Sequence, residues 1–414
     1  MELGGAMQLS DYARQVVPFY VMQMMREAAA LAPQAAASGQ PMIYLNVGEP
    51  DFTAPPLVQQ AGQRAIAQGR THYTDSSGLP ELRERISAWY AERFGVQVPA
   101  RRIVVTSGAS AALQLACLAL LNAGDEVLMA DPGYPCNRQF VRMAGAQPLP
   151  LPATAAARYQ PSAAQIEAAL TPRTRAALLA SPANPTGTSI AHEELRAIHG
   201  VLAARGAALI VDEIYLGLSH DAAFGRSALE LGDDIISINS FSKYFCMTGW
   251  RLGWMVVPEA LLAPVELLAQ HLYISPSTPS QYAALACFEP ESLAEYERRR
   301  AALRARRDWF VPQLERLGLH VPVMPDGAFY VWAQCSAVAE KLCAPLPAGA
   351  DARAPEHAPS WRLAYELMRR AHIAVTPGRD FGDFGTADCL RFSTASSMEH
   401  LQQAVARIRA LLEQ

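Results

Sequence analysis

RIVVTSGASAALQLACLALLNAGDEVLMA, residues 102–130, sets the frame for the whole chain. Arg102 to Thr106 is a short apolar run with β-branched residues and reads as a strand. Ala109 to Leu121 has the length and composition of a helix, and Glu126 to Ala130 reads as the next strand. Neither strand alternates apolar with polar, which suits strands covered on both faces. The same pattern recurs at Ala176–Ala180, Ala207–Val211, Asp234–Asn239 and Leu252–Val257, with helical stretches at Gln165–Leu170 and His192–Ala204. Repeated strand–helix–strand units predict an α/β layer fold on a mostly parallel sheet. Beyond about residue 288 the pattern changes. Glu291–Leu317 reads as one long helix whose Arg298, Arg299, Arg300, Arg304, Arg306 and Arg307 form a solvated face balanced by Glu291, Glu295 and Glu297. Short strands at Gly327–Trp332 and Cys389–Ser393 and helices at Trp361–Arg370 and Met398–Leu412 complete an α+β segment. Ala344–Ser360, rich in Pro and Ala, reads as a surface loop.

Composition excludes several classes of function. At roughly 150 residues per domain, 414 residues imply two or three domains. The chain is 51% hydrophobic with a net charge of −4, so neither a disordered chain nor a nucleic-acid or anionic-membrane surface is indicated. The longest apolar run, Ala109–Leu121, is interrupted by Ser110 and Gln114 and is too short to cross a bilayer. The seven cysteines are scattered, with no CxxC pair, and the histidines show no ligand spacing. A disulfide framework and a metal site are therefore not expected, and the compartment is expected to be the cytoplasm. Only Lys243 and Lys341 are lysine among 35 basic residues. Arginine has replaced lysine nearly everywhere, so a surviving lysine within a dense motif is a pointer.

Lys243 lies in Ser240-Phe-Ser-Lys-Tyr-Phe-Cys-Met-Thr-Gly-Trp-Arg251-Leu-Gly253, between two expected strands. There it suits an amine that forms a Schiff base with an aldehyde cofactor. Ser240, Ser242 and Arg251 would give hydroxyl and guanidinium donors for a phosphate. Ser107-Gly108-Ala109-Ser110 opens a helix directly after a strand, where backbone N–H groups can approach an anion. Asn184, in Ser181-Pro-Ala-Asn-Pro-Thr-Gly187, can donate from a rigid turn. Asp212 ends an apolar strand, where a carboxylate is costly unless it has a partner: a protonated pyridine nitrogen, an arginine or a backbone cap.

In order along the chain stand LNVGEPDF (45–52), HYTDSSGLPELR (72–83), TSGAS (106–110), DPGYP (131–135), SPANPTG (181–187), DEIY (212–215), SFSKYFCMTGWRLG (240–253) and RFS (391–393). With these motifs the chain resembles the class I/II aminotransferases, pyridoxal-phosphate enzymes of fold type I, over roughly residues 17 to 412. The resemblance implies a large domain, 50–288, built on a mostly parallel seven-stranded sheet, and a small α+β domain made of 1–49 and 289–414. It implies pyridoxal 5′-phosphate bound to Lys243 as an aldimine, with Lys243 then moving the Cα proton. Asp212 would hold the pyridine nitrogen protonated, Tyr215 and Asn184 would bond the phenolic oxygen, and Tyr134 would stack on the ring. Gly108, Ala109, Ser110, Ser240, Ser242 and Arg251 would hold the phosphate. Tyr73 would reach the phosphate of a neighbouring subunit, which implies a homodimer with shared active sites. Arg391, Asn184 and the Gly48 backbone would clamp the substrate carboxylate.

The implied reaction moves an amino group between an L-amino acid and a 2-oxo acid. The alternative is β-lyase or other Cα-carbanion chemistry on the same cofactor. A donor incubated alone separates the two, because a lyase releases ammonia and a 2-oxo acid without an acceptor. A regulator built on this fold would need a basic N-terminal domain, and none precedes the first motif. Val17-Pro18-Phe19-Tyr20 is expected to cover the mouth of the site. Some aspartate-specific relatives have a lysine where this chain has Ala109, which leaves a neutral or aromatic donor at least as well supported. The Tyr273–Gln281 region of a partner chain would also shape the pocket.

Overall fold

The computed structural model describes residues 8–347, 349–351 and 354–414. Residues 1–7 of the expected N-terminal arm, and 348, 352 and 353 of the expected 344–360 loop, lie outside them. The central sheet has seven strands: β1 (Ile103–Thr106), β2 (Glu126–Asp131), β3 (Gln147–Pro152), β4 (Thr174–Ala180), β5 (Ala208–Asp212), β6 (Ile236–Ser240) and β7 (Gly253–Val256). Their order is β1-β7-β6-β5-β4-β2-β3, and only β7 runs antiparallel to its neighbours. Six strands match the apolar runs to within a residue or two. Every residue of β1, β6 and β7 is buried, which is why those runs do not alternate.

β3, QPLPLP, is not among the expected strands, and prolines usually argue against a strand. Pro148, Pro150 and Pro152 alternate, so their missing N–H groups all fall on one side. β3 is an edge strand pairing only with β2, and that side needs no ladder bonds. The N–H groups of Gln147 and Ala153 still donate to Asp125 O (2.8 Å) and Asp131 O (2.9 Å).

Three helices matter for the site. α1 (Tyr20–Ala37) follows the N-terminal segment, α2 (Ala109–Leu120) follows β1, and α3 (Pro290–Arg316) spans two cores. Tyr296 and Leu303 of α3 pack in the core beside β1 and β7. Phe310, Val311 and Leu314 pack in a separate core with Met24, Ala28, Ile43 and Leu45 from the N-terminal part. That second core also holds buried residues of α4 (Pro359–Ala371), α5 (Met398–Leu412) and the strands β8 (Tyr330–Gln334) and β10 (Cys389–Ser393). With β9 (Thr376–Pro377), they form an antiparallel sheet in the order β9-β10-β8. Ile43–Tyr44 pairs in parallel with Ile373–Ala374 and ties the N-terminal part to this half.

Two expectations need correction. The strand placed at 327–332 starts at Tyr330, because the N–H groups of Asp326 and Gly327 both turn to Gly187 O and Ala328 takes a positive φ. The arginine run of α3 is only partly a solvated face. Arg298, Arg299 and Arg300 pair with Glu295 or Glu297, as expected. Arg306 instead turns inward and grips Asp51 with two bonds of 2.8 and 3.0 Å, while its guanidinium covers Phe52. That grip anchors the segment preceding it, which contains Gly48. Among the described residues no helix is long and apolar enough to cross a membrane, and all seven cysteines are free.

Candidate active site

The carboxyl ends of the parallel strands open into a cavity of about 460 Å³. Chains leaving β1, β2, β4, β5 and β6 reach the same place within a few residues. They bring Ala109 and Ser110, Tyr134, Asn184, Asp212 and Tyr215, and Ser240, Ser242 and Lys243 to its wall. Arg251 and Gly48 join from the connection into β7 and from the N-terminal part, and Arg391 arrives on β10. Gly108 stands at the rim as N-cap of α2. Tyr73 is not in the cavity; it is 78% exposed.

Lys243 follows β6 in a loop fastened by aromatic burial. Phe241, Phe245 and Trp254 pack ring to ring, with Phe241 at 5.0 Å from Phe245 and 4.9 Å from Trp254. Nζ donates to Gly48 O at 2.6 Å. Burial pushes the ammonium down to about 8; Arg391 and Arg251 add to this, while Glu49 and Asp212 oppose it. Asp212 ends β5, and its Oδ1 accepts the Ile214 N–H at 3.2 Å. Burial raises its carboxyl to about 7, with Glu213 adding to the rise and Lys243 opposing it. The charged carboxylate is therefore under-compensated and suits a cationic partner.

Gly108 has φ +85°, and a Cβ there would lie 2.8 Å from Arg251 Nη2. The same close packing holds Gly253 against α2, where a Cβ would meet the Ala109 N at 2.8 Å. The result is an open helix N-terminus with a guanidinium laid beside it, a natural anion cradle. Gly108→Ala is expected to destabilise the protein by about 1–3 kcal/mol, from backbone strain and the clash with Arg251. An unchanged urea midpoint would contradict this. Ser240 Oγ accepts the Ser242 N–H at 3.0 Å and donates to Leu252 O at 3.3 Å, so that hydroxyl shapes the loop.

Arg391 is 2% exposed. It donates to Asn184 Oδ1 (2.8 Å) and Asn46 O (2.7 Å) and stacks 4.4 Å from the Tyr330 ring and 4.9 Å from Phe381. Its Nε has no partner, and no carboxylate pairs with it among the described residues. A buried guanidinium with no carboxylate in ion-pair contact can take one; Asp380 acts on it only as a more distant charge. Tyr215 and Tyr330 share a hydroxyl–hydroxyl bond of 2.8 Å, and burial drives the Tyr215 phenol well above its usual range.

The profile of the family described as Aminotransferase class I and II matches residues 40–408. The chain is a class I and II aminotransferase. Over 96% of its length it is 35% identical to a valine–pyruvate aminotransferase of Mycobacterium tuberculosis, covering 97% of that protein. It is 33% identical over 97% of its length to a (5-formylfuran-3-yl)methyl phosphate transaminase of Methanocaldococcus jannaschii, of which it covers 99%. The solved aspartate aminotransferase of Thermus thermophilus with maleate superposes with a TM-score of 0.87 at 31% identity, covering 98% of this chain and all of that one. The fold is that of the fold type I aminotransferases.

Sequence reading of this aminotransferase missed Tyr330, Glu49, Val21, Met22 and Met25, all on the cavity wall. Tyr330 sits in an ordinary apolar strand, so nothing local marks it. Val21, Met22 and Met25 lie on α1, a helix not among the expected elements, beyond the Val17–Tyr20 stretch assigned to the mouth of the site.

Proposed function

We propose that this aminotransferase binds pyridoxal 5′-phosphate at Lys243 and takes a neutral, aliphatic L-amino acid as donor and a 2-oxo acid as acceptor. The observation that carries the reading is the placing of Lys243, Asp212 and the unpaired Arg391 on one cavity. The residues present fit the cofactor: a part-neutral amine, a carboxylate lacking a cation, a glycine cradle and an orphaned guanidinium N–H. When bound, pyridoxal phosphate supplies a conjugated ring that accepts the electrons left on Cα.

In this reading Lys243 would hold the cofactor aldehyde and serve as the base for the Cα proton. Asp212 would pair with the ring nitrogen. Tyr215 and Asn184 would donate to the phenolic oxygen; the Asn184 Oδ1 is taken by Arg391, which leaves its amide N–H groups free. Tyr134 would pack on the ring. Gly108, Ala109, Ser110, Ser242 and Arg251 hold the phosphate, and Ser240 orders the loop beneath it. Arg391 and the Gly48 segment bind the substrate carboxylate. Tyr73, exposed in the single chain, would reach a second subunit's site in a homodimer with shared active sites. The two cores support a large domain of 50–288 and a small one of 1–49 with 289–414, joined by α3. Seven free cysteines support a reducing, cytoplasmic setting.

The donor class follows from the wall. Phe19, Val21, Met22, Met25, Leu113 and Ile214 offer apolar surface, and Glu49 places a carboxylate nearby. Among the described lining residues a second donor carboxylate would find no cation beyond those already assigned. The valine–pyruvate relative points the same way. With pyruvate or 2-oxoglutarate as acceptor, kcat/KM for valine is expected to exceed that for aspartate by about 10–100-fold. A preference for dicarboxylic donors would overturn the donor assignment.

A pH dependence also arises here. Only the neutral amine attacks an aldehyde, and Lys243 loses its proton near 8. Capture of pyridoxal phosphate by cofactor-free protein is expected to speed up about tenfold per pH unit below that value and level off above it. Stopped-flow absorbance reads the rate, and a flat profile would contradict the assignment.

A further inference from the structure

We propose that Asp380 is a positioning residue for donor recognition, capping the first turn of α1 and so holding the apolar cavity wall in place. The inference rests on the reading that this wall receives the donor side chain.

α1 begins at Tyr20, and its N-cap residue, Phe19, has no side-chain oxygen to accept from the first N–H groups. Such groups at a helix start need an outside partner. Here the partner lies far away in sequence. Asp380 Oδ1 accepts the Tyr20 N–H and Oδ2 accepts the Val21 N–H, each at 3.0 Å. The carboxylate is buried, and it sits at the positive end of the helix dipole. Its neighbour Arg379 reinforces the joint. The guanidinium donates to the Tyr20 hydroxyl at 3.0 Å and lies 4.3 Å from the Tyr20 ring and 4.6 Å from the Trp361 ring, which pack edge to face on each other.

The first turns of α1 are also the cavity wall. Val21, Met22 and Met25 line it together with Phe19, while Met24 and Ala28 face the small-domain core. Asp380 itself does not line the cavity. It closes the short turn Gly378–Asp380 directly after β9, whose Thr376 pairs in register with Arg391. One turn thus links β9, the strand paired with the one that carries Arg391, to the helix that carries the side-chain wall. Without the cap, two N–H groups lose their acceptors, and the wall residues lose their fixed position.

The test compares wild-type holoenzyme with Asp380→Asn and Asp380→Ala. On the proposed reading valine's branched side chain would reach the wall and alanine's single methyl would not. In Asp380→Ala the ratio of kcat/KM for valine over alanine is expected to fall about tenfold, with alanine turnover within about twofold of wild type. Amide hydrogen exchange at residues 20–25 is expected to quicken about tenfold, a typical effect of losing a cap, while Ala28–Ala35 stays unchanged. Asp380→Asn keeps one acceptor oxygen and is expected to fall between the two; being isosteric, it carries the comparison should the alanine variant not accumulate. Unchanged exchange at 20–25 would overturn the cap. Faster exchange with an unchanged donor ratio would overturn its link to recognition. A wild type that prefers dicarboxylic donors would defeat the donor reading instead, leaving the exchange result to judge the cap.

Discussion

Lys243→Ala is expected to abolish turnover and the near-visible absorbance of the loaded enzyme while leaving the fold intact. The loop around it is held by Phe241, Phe245 and Trp254, none of which needs the lysine amine. The amine has one protein hydrogen bond, to Gly48 O, so its loss removes little packing. On the proposed reading it would remove both the covalent anchor for the cofactor and the base that moves the proton. Positioned acid–base groups are worth about 10²–10⁴-fold by themselves, so the combined loss should leave turnover below detection. Lys243→Arg makes the sharper companion. A guanidinium keeps the positive charge but stays protonated and cannot form the imine, so this variant should be equally dead. Activity or absorbance surviving either substitution would remove Lys243 from its role.

Asp212→Asn is expected to lower kcat by about 10²–10³-fold, a typical effect of losing one preorganised electrostatic partner. The cofactor-free protein should be no less stable for it. Burial raises the Asp212 carboxyl from 3.8 to about 7 in the folded state, so the folded protein holds this proton more tightly than the unfolded chain does. Its contribution to stability is therefore present below about 4 and is lost as pH rises through about 7. Asparagine cannot ionise, so the variant should lose less stability than wild type across that window. The neighbouring Glu213, raised to about 7 by burial and held by Ser227, Ser237 and the Ala228 N–H, leaves part of the slope in both proteins. Thermal unfolding of cofactor-free samples at several pH values reads the difference. A steeper loss in the variant, or undiminished kcat, would refute the assignment. The site thus carries a carboxylate whose ionisation burial disfavours, and on the proposed reading the bound cofactor would supply its cationic partner.

Strands buried on both faces were legible because burial removes polar residues from them, as in β1, β6 and β7. β3 was not legible, since an edge strand needs ladder bonds on one side only and can alternate proline. The inward turn of Arg306 onto Asp51 was also hidden, because a helical charge run looks the same whether it faces water or a distant carboxylate.

By itself the sequence determined the α/β class, the order of the buried strands and the motif residues that the strand ends bring to one cavity. Strand ends and tight turns place their own side chains, so Gly108, Asn184, Asp212 and Lys243 could be read from local pattern. Scarcity sharpened this: with arginine at nearly every basic position, a lysine in the loop after β6 pointed to the amine. Only the tertiary structure decided what surrounds that chemistry. The Tyr330 stack on Arg391 joins neighbouring strands some sixty residues apart, and the apolar face of α1 in the cavity and the Asp380 cap join segments hundreds of residues apart. Such contacts depend on how two cores meet, and no local spacing in one chain records that meeting.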